Sequence, residues 1–442
     1  MKTVTEPQEA NALAAAKPVR VGMLGFGTVG SGAYRMLDLN REAIQRKIGA
    51  PVDVVRIGVR DLSKERIADR SLFTDDLQSI VDDPEIEVIL ELIGGVDPAG
   101  DLVERALQGG KHVVTANKEL IAKKGAPLIR LASERGLDLH FEAAAGGGIP
   151  LIQPLRHQLS GNDVIGMKGI LNGTTNVILT RMTQEGVSLE AALLEAQALG
   201  YAEADPTADV DGHDAQYKLA ILASIAFGKE VRPESVYREG IRQLTAIDIG
   251  YADKLGYTIK LLAIVDAVEG EGVLARVHPT LIPKTHPLAS VNDVYNALWV
   301  RGDFVGDLMF SGRGAGAEAT GSAVVGDLID ICRNIRIGGA GNTMPWETTA
   351  NTRPIEELKT SYYVRLIVQD RPMVLGEIAT LFGRRNVSLS AMEMKVIDTK
   401  GKRGEIAFLT HLCVERDFRQ AIKDLKDSDA VISVENWIRV EE

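Results

Sequence analysis

Five acidic residues and one lysine lie close together in sequence near the middle of the chain. Side chains of these types could bind a charged substrate and exchange protons with it. The cluster consists of Glu203, Asp205, Asp209, Asp211, Asp214 and Lys218. Because like charges repel, five carboxylates within twelve residues need a reason. Asp214 and Lys218 are four residues apart and share one face if the segment is helical. They form either a surface ion pair of about 0.3–0.5 kcal/mol or a carboxylate beside an acid/base lysine, and the apolar residues after Lys218 favour the second.

A second group of residues has the spacing of a dinucleotide-binding turn. It is Gly25, Phe26, Gly27, Thr28, Val29 and Gly30, a Gly-x-Gly-x-x-Gly sequence. The turn follows an apolar run from Val19 to Leu24 and precedes a helix-like stretch. In this context, between a strand and a helix, the pattern indicates a dinucleotide-binding turn. The first two glycines allow a tight turn and a close approach to a pyrophosphate, and the third allows close helix packing. A glycine-rich turn without a ligand is the alternative.

Three positions after later apolar runs complete the candidate cofactor site. Arg60 stands where an NAD enzyme usually has an acidic residue, and Asp61 follows it. An arginine there is typical of NADP enzymes, so NADP is favoured over NAD; a solvated surface charge is the alternative. Gly94 and Lys118 follow two further runs and belong to the same sheet edge. Lys118 either faces nicotinamide and substrate or is a surface lysine that begins a helix.

A glycine-rich stretch beside a carboxylate is a candidate cation site. It runs from Glu142 through three alanines to Gly146, Gly147, Gly148 and Ile149. Flexible turns expose backbone carbonyls, and oxygen ligands suit hard cations. From these residues alone, a hinge between domains is favoured over a cation site.

The elements that must position these groups follow from the apolar pattern. Apolar runs alternate with helix-like stretches over residues 19–147, which predicts an α/β domain with a Rossmann-type, doubly wound parallel sheet. Residues 148–315 predict a mixed α+β domain for the acidic cluster, with an apolar helix from Asp214 to Phe227 that is buried in the domain or at a subunit contact. Residues 343–360 predict a linker, and residues 361–442 have the β-α-β-β-α-β order of a ferredoxin-like unit.

Length and composition limit the possible functions. The chain has 442 residues, 45% hydrophobic and 25% charged, the usual mixture of a globular protein with several domains. A formal net charge of −11 opposes nucleic acid and anionic membranes as partners. Residues 1–18 predict a flexible tail without a secretory signal, and no run has the ~18 apolar residues of a membrane helix. The two cysteines, Cys332 and Cys413, fit a cytoplasmic location without disulfides.

The sequence resembles the homoserine dehydrogenases over nearly its whole length. The stretch Ala196 to Lys218 matches that family's pattern A-x3-G followed by D-P-x2-D-V-x-G-x-D-x3-K. The stretches Gly169 to Asn176 and Gly314 to Ala323 also look like parts of the family, and the second is expected to return residues 316–342 to the nucleotide-binding domain. Residues 361–442 are similar to an ACT domain, a regulatory module that often binds amino acids.

The resemblance implies the reversible NAD(P)H-dependent reduction of L-aspartate 4-semialdehyde to L-homoserine, in threonine, methionine and isoleucine biosynthesis. The resemblance implies that Lys218 is the proton donor and acceptor and that Lys118 lies between nicotinamide and substrate. It also implies that Glu203 and Asp214 bind the substrate. The implied cofactor contacts are Phe26, Thr28, Val29, Arg60, Gly94 and Gly321. The implied ligands of a sodium-like ion are Glu142 and the carbonyls of Ala145, Gly147 and Ile149.

The resemblance also bears on regulation and assembly. ACT domains usually have D-x-P-G after their first strand, whereas here Met373 replaces the glycine. Threonine, an end product, is the expected effector. A homodimer through the middle domain is expected, and the C-terminal units could pair dimers into a homotetramer.

Two other functions are compatible with parts of the sequence. An aspartate-semialdehyde dehydrogenase needs a nucleophilic cysteine to form a thioester, but Cys332 lies in a predicted helix and Cys413 in the C-terminal unit. A nicotinamide or amino-acid sensor without turnover is the other alternative. The lysine and carboxylate positions of the motif argue against it.

Overall fold

Residues 16–268, 272–339, 345–346 and 348–441 are described by the structure, a computed structural model. Residues 1–15 of the predicted tail, and residues 340–344 and 347 around the predicted linker, lie outside the described residues. No helix within the described ranges is long and apolar enough to cross a membrane.

Strands and helices are numbered along the chain. The strands are β1 (Val19–Leu24), β2 (Val52–Gly58), β3 (Phe73–Thr74), β4 (Val88–Glu91), β5 (His112–Thr115), β6 (Leu139–His140), β7 (Val164–Ile170), β8 (Tyr237–Arg238), β9 (Tyr257–Val268), β10 (Gly272–Pro283), β11 (Tyr295–Gly302), β12 (Gly306–Arg313), β13 (Asn351–Thr352), β14 (Lys359–Gln369), β15 (Leu389–Asp398), β16 (Arg403–Thr410), β17 (Cys413–Val414) and β18 (Val431–Val440). The helices are α1 (Thr28–Leu39), α2 (Arg41–Ile48), α3 (Leu77–Asp82), α4 (Ala99–Gln108), α5 (Lys118–Glu134), α6 (Gly173–Glu185), α7 (Leu189–Ala198), α8 (Thr207–Val210), α9 (His213–Phe227), α10 (Ala246–Lys254), α11 (Ala317–Ile337), α12 (Val374–Arg384) and α13 (Glu415–Lys426).

The chain divides into two compact units. Unit 1 comprises the described parts of Met1–Val164, Tyr217–Pro233 and Gly302–Ala350. Unit 2 comprises those of Ile165–Gln216, Glu234–Arg301 and Asn351–Glu442. The segment predicted as one middle domain therefore contributes to both units.

Unit 1 is built on a parallel sheet with the strand order β3-β2-β1-β4-β5-β6. Both faces of its central strands are covered, and Val21, Met23 and Leu24 of β1 are fully buried. This order is that of dinucleotide-binding folds, in which the ligand lies outside the carboxyl ends of the strands, where the order reverses. The prediction of a doubly wound parallel sheet is confirmed.

Helix α11 packs against α1 within unit 1. A Cβ atom at Gly32 would clash with the carbonyl oxygen of Ala317, and a Cβ atom at Gly321 would lie 2.7 Å from the backbone nitrogen of Ala33. The two glycines therefore let the helix backbones touch. Gly321, expected from the resemblance to contact the cofactor, is buried in this helix contact.

Unit 2 contains a mixed sheet that includes the strand order β11-β7-β9-β10-β18-β14-β16-β15. Its C-terminal part follows the order β14-α12-β15-β16-α13-β18, with the short β17 before α13. Strands β16 and β18 pair antiparallel with β14, so the predicted ferredoxin-like unit is confirmed. Its sheet continues into the rest of unit 2, because Arg439 and Val440 of β18 pair in parallel with Thr280 and Leu281 of β10.

The second half of the predicted linker packs on unit 2. Strand β13 pairs with the start of β10. Ile355 and Leu358 are buried in a cluster with Leu274. These apolar side chains explain why a segment of mostly polar composition lies against the sheet.

A buried lysine supports the turn that follows residue 290. Lys260 of β9 is 2% exposed. Its Nζ donates hydrogen bonds to the carbonyl oxygen of Val291 at 2.6 Å and to the side-chain oxygens of Asn292 at 2.9 Å and Asn176 at 3.2 Å. Burial lowers the pKa of Lys260 from 10.5 to about 8, since a charge is less stable away from water.

We expect the stability of the protein, relative to a Lys260→Met variant, to rise between pH values of about 8 and 10.5. In that interval the unfolded chain keeps a proton that the folded chain has released, so raising the pH favours folding. Melting temperatures of both proteins across this interval measure the difference. Lys254→Met, which removes an exposed ammonium group, is the control for the loss of a lysine as such. A difference in melting temperature between wild type and Lys260→Met that does not change with pH would contradict the lowered pKa of Lys260.

Candidate active site

The glycine turn leaves β1 at the carboxyl edge of the unit 1 sheet. Gly25 has a φ of 104°, which residues with a side chain rarely adopt, and its amide donates to the carbonyl of Gly58 at 2.9 Å. A Cβ atom at Gly30 would press on the carbonyl of Gly25, whereas the space around Gly27 is open. Helix α1 begins at Thr28, so its free amides and positive dipole end lie at this turn. These features fit the pyrophosphate of a dinucleotide.

A cleft of about 430 Å3 extends from this turn along the end of β2. Its charged lining residues are Arg60, Asp61, Lys64, Glu65, Arg66 and Asp75. The Asp61 carboxylate accepts hydrogen bonds from the hydroxyl of Ser63 at 2.6 Å and from its amide at 2.9 Å, and these bonds lower the pKa of Asp61. Asp61, the acid that could bind a ribose hydroxyl, is thus already hydrogen-bonded within its own loop. The cationic residues Arg60, Lys64 and Arg66 line the cleft.

Arg66 is a cleft residue that the sequence analysis missed. Its guanidinium lies 5.2 Å from the centre of the Phe73 ring and donates to the carbonyls of Asp61 and Lys64 at 2.7 and 2.9 Å. Phe26 packs against the same ring at a centre distance of 5.3 Å. No motif marks Arg66, because only the folding of the loop after β2 brings it to the cleft.

A buried carboxylate fixes the turn that carries Gly94. Glu91, at the end of β4, is fully buried, and burial raises its pKa. Its carboxylate accepts hydrogen bonds from the amides of Ile93 and Gly94 at 2.9 and 3.3 Å. It also accepts one from the hydroxyl of Thr115, at the end of β5, at 2.6 Å. Two neighbouring strand ends are therefore tied together at the edge where the glycine turn lies.

Asn117 extends this network to the start of α5. Its side-chain amide donates to the carbonyl of Gly95 at 2.6 Å, and its side-chain oxygen caps the helix by accepting from the amide of Leu120 at 3.1 Å. Lys118, the first residue of α5, is half-buried. Neither Glu91 nor Asn117 was predicted as a site residue, since the only local signal was an asparagine before a helix start.

The second candidate lysine lies on the apolar helix α9. Lys218 is half-buried, and the residues from Leu219 to Ala223 are fully buried. The ring of the neighbouring Tyr217 lies 5.2 Å from the Nζ of Lys123, on the helix that begins with Lys118. The helices that carry the two lysines therefore meet within unit 1.

Asn172 organises the carboxylates of the acidic cluster within unit 2. Its Nδ2 donates to the carboxylates of Asp209 at 2.6 Å and Asp214 at 2.9 Å. Its Oδ1 accepts from the amide and the hydroxyl of Thr175 at 2.8 and 2.9 Å, and its side chain is buried. A donor between two carboxylates reduces their repulsion. Asn172 lies in the stretch Gly169 to Asn176, which resembles the family, but no role was predicted for it from the sequence.

Glu203 lies in the loop between α7 and α8. Gln197 of α7 holds this loop, since its side-chain amide donates to the carbonyls of Glu203 at 2.9 Å and Ala204 at 3.3 Å. Glu203 itself is exposed. The backbone of the loop is therefore held in place while the residue faces solvent.

The Glu142 carboxylate is buried and accepts three backbone hydrogen bonds. Oε1 accepts from the amides of Leu151 at 2.6 Å and Ile152 at 2.8 Å, and Oε2 accepts from that of Gln153 at 2.7 Å. Burial raises the pKa of Glu142, and it raises the pKa of the neighbouring Asp327 to about 8. These bonds hold the chain after the glycine-rich stretch.

The carbonyl groups of the same stretch are suited to a cation. Ala145, Gly147 and Ile149 are buried, and within the described ranges their carbonyl oxygens accept no hydrogen bond from a backbone amide outside regular helices and strands. Buried carbonyl groups need a partner, and a hard cation takes oxygen ligands. No group of three or more His, Cys, Asp or Glu side chains suited to a metal occurs in the described part of the chain.

The two cysteines are unsuited to nucleophilic chemistry. Both are free and buried. Burial raises the pKa of Cys332 to about 12 and that of Cys413 to about 11. Because the thiolate is the nucleophile, neither can form a thioester readily, which argues against an aspartate-semialdehyde dehydrogenase.

Comparisons with known proteins agree with this geometry. The profile "Homoserine dehydrogenase" matches residues 150–329, the profile "Homoserine dehydrogenase, NAD binding domain" matches residues 25–142, and the ACT domain profile matches residues 362–429. A homoserine dehydrogenase of Synechocystis sp. is 46% identical over 435 residues, which cover 96% of this chain and 99% of the relative.

Solved structures give the same result. A homoserine dehydrogenase from Thiobacillus denitrificans has a TM-score of 0.91 at 43% identity, covering 96% of this chain and 99% of that chain. A hyperthermophilic archaeal homoserine dehydrogenase solved in complex with NADPH has a TM-score of 0.62 at 28% identity, covering 74% of this chain and 100% of that chain. The chain therefore belongs to the homoserine dehydrogenase family of NAD(P)-dependent oxidoreductases acting on a CH–OH group, and it carries a C-terminal ACT domain.

Proposed function

We propose that Lys218 exchanges the proton in the reaction of this family, the reversible NAD(P)H-dependent reduction of L-aspartate 4-semialdehyde to L-homoserine. The observation that carries this assignment is the contact between Tyr217, next to Lys218, and Lys123, on the helix that begins with Lys118. It brings the helix of Lys218 to the helix that starts at the carboxyl edge of the parallel sheet, where ligands of such folds bind.

The residue types match the charges that develop in this reaction. When bound, the reduced nicotinamide supplies the hydride, and negative charge grows on the aldehyde oxygen. The ammonium group of Lys218 stabilises that oxygen and delivers its proton, and the ammonium group of Lys118 adds electrostatic support. Glu203 binds the substrate's α-ammonium group. Asp214, one helical turn before Lys218, orients the lysine and contacts the hydroxyl group.

The cofactor is proposed to be NADP in preference to NAD. Arg60, Lys64 and Arg66 line the cleft that extends from the glycine turn, and guanidinium groups suit a ribose 2′-phosphate. Asp61, the nearby acid, is held by Ser63. The relative solved with NADPH supports the same choice.

Replacing Arg60 with alanine is expected to raise KM for NADP roughly tenfold or more. This is the usual effect of losing one charge-assisted hydrogen bond. KM for NAD should change little, because NAD lacks the 2′-phosphate. Initial rates of homoserine oxidation with each cofactor, followed at 340 nm, measure both values. Arg130→Ala, at an exposed arginine of α5, is the matched control. An equal rise in KM for both cofactors would assign Arg60 to another part of the dinucleotide.

A monovalent cation such as Na+ is proposed at the glycine-rich stretch. The carbonyl groups of Ala145, Gly147 and Ile149 are the proposed ligands, and the buried Glu142 adds negative charge. In this role the ion would order the stretch and would take no part in hydride or proton transfer.

Regulation and assembly are proposed from the C-terminal domain. The ACT domain supports an amino-acid effector, and threonine is the proposed one. A homodimer is proposed through the middle domain. Edge strand β15 exposes Met392, Met394 and Val396, which supports pairing of two such dimers through their ACT domains into a homotetramer. The two free thiols support a reducing, cytoplasmic compartment.

Initial rates with L-homoserine, with each cofactor and with millimolar threonine test these proposals together. NADP-dependent oxidation of homoserine that threonine lowers is the expected result. Binding of NADP without any absorbance change at 340 nm on addition of homoserine would instead indicate a sensor without turnover. Rates that stay flat as threonine is added would remove threonine as the effector.

A further inference from the structure

A buried arginine ties the last strand of the ACT domain to a segment outside that domain. Arg439 of β18 is fully buried, and its guanidinium donates to the carboxylate of Glu415 at 2.6 and 2.7 Å and to that of Glu239 at 2.9 and 3.3 Å. Charge-assisted pairs of this kind fix geometry strongly when water is excluded. Glu239 directly follows β8, so the ACT domain holds that segment.

The segment around Glu239 in turn contacts the acidic cluster. The amide of Ile241 donates to the carbonyl of Val210 at 2.9 Å. The guanidinium of Arg242 pairs with the carboxylate of Asp211 at 2.5 Å. Asp211 lies between Asp209 and Asp214 in the chain, the two carboxylates that Asn172 holds. A continuous series of contacts within unit 2 therefore leads from the ACT domain to the proposed substrate-binding carboxylates.

A cavity of about 430 Å3 lies along this series of contacts. Its lining includes three charged residues, Asp211, Glu239 and Arg242, and three apolar residues, Leu244, Trp437 and Ile438. Trp437 and Ile438 belong to β18 of the ACT domain, Asp211 belongs to the acidic cluster, and Glu239, Arg242 and Leu244 belong to the segment that contacts this cluster. The cavity is large enough for a small molecule and presents both signs of charge beside an apolar wall.

We propose that this cavity is the effector site and that it binds a small zwitterionic amino acid. Arg242 would bind the α-carboxylate, Asp211 or Glu239 would bind the α-ammonium group, and the apolar part of the lining would contact a short side chain. A ligand that draws Arg242 away from Asp211 loosens the turn between α8 and α9, the helices that carry Asp209 and Asp214, and so weakens substrate binding. This inference rests on the proposed regulation by threonine and assigns it a site.

The start of α12 is the competing location, since ACT domains often bind effectors there. Met373 takes the position of the usual glycine, with a φ of 75°, and is exposed. Arg371 beside it pairs with Glu377 at 2.7 and 2.8 Å. Arg371 and Arg242 are exposed to similar extents, 41% and 51% of their side chains, and each pairs with one carboxylate. The same substitution at both positions therefore compares the two sites.

Calorimetric binding of L-threonine to the full-length chain tests the proposal without relying on turnover. Arg242→Gln should weaken binding roughly tenfold or more, as expected for a lost charge-assisted hydrogen bond. Arg242→Lys keeps the positive charge and should retain most of the affinity, which excludes misfolding as the cause. Arg371→Gln should bind as the wild type does. Quenching of Trp437 fluorescence by threonine, absent in Trp437→Phe, is a second expected result.

Two outcomes would overturn the assignment. Loss of threonine binding in Arg371→Gln with normal binding in Arg242→Gln would place the effector at the start of α12. A wild-type chain that oxidises homoserine but does not bind threonine would also overturn it, because the assignment rests on threonine as the effector, and the dehydrogenase activity would still stand. Homoserine oxidation by the wild type without threonine is measured first, so a failure of the enzyme is distinguished from a failure of the effector site.

Discussion

Replacing Lys218 with alanine is expected to lower kcat by at least ~10²-fold, the usual effect of losing a general acid or base. The alkoxide that forms on hydride transfer then lacks both a proton donor and a stabilising positive charge. KM for NADP should stay within about threefold, because the proposed cofactor contacts lie on other elements. Initial rates of homoserine oxidation and NADP titrations give these values.

Lys284→Ala is the control for this variant. Lys284 is exposed, and its ammonium group pairs with Asp253 at 2.6 Å, so its removal should leave the rates unchanged. Recovery of activity in Lys218→Ala on addition of a small primary amine would add support, since the amine replaces the missing side chain. Near-normal turnover in Lys218→Ala would remove Lys218 from the mechanism.

Replacing Asn172 with aspartate is expected to lower kcat/KM by roughly 10²-fold or more, because two charge-assisted hydrogen bonds are lost. Aspartate has nearly the same size, but it turns a donor to Asp209 and Asp214 into a third carboxylate. Repulsion among the three should displace Asp214 or hold a proton on one of them. Steady-state rates across homoserine concentrations separate the effect on KM from the effect on kcat.

Asn386→Asp, at an exposed asparagine, is the matched control and should behave as the wild type does. Thermal melting of Asn172→Asp shows whether the variant is folded, and the rates are interpreted only for the folded protein. A folded variant with kcat/KM within threefold of wild type would mean that Asn172 does not organise the substrate carboxylates.

Local signals were enough to predict the glycine turn at the carboxyl edge of the unit 1 sheet. The glycines at 25, 27 and 30 lie within six residues of each other, and at Gly25 and Gly30 a side chain would be strained or would clash. The apolar run before them predicts a buried strand, and the helix after them follows from the same pattern. The apolar helix beginning near Asp214 was also predicted, because its period does not depend on distant residues.

Contacts between distant parts of the chain could not be predicted in this way. Asn172 is 37 residues from Asp209 and 42 from Asp214 in the sequence, and no spacing rule joins them. Glu91 and Thr115 meet only because β4 and β5 are neighbours in the sheet. The pairing of β18 with β10, which joins the ACT domain to the rest of unit 2, likewise depends on sheet order and not on local pattern.

A crystal structure with NADP and L-homoserine bound tests the central claim most directly, through the distance between the Nζ of Lys218 and the hydroxyl oxygen of homoserine. The account predicts a hydrogen bond of about 2.6–3.2 Å, with the carbon that bears the hydroxyl facing the nicotinamide ring. An ordered homoserine whose hydroxyl group is hydrogen-bonded to another acid or base, with Lys218 beyond reach even through one water molecule, would contradict it.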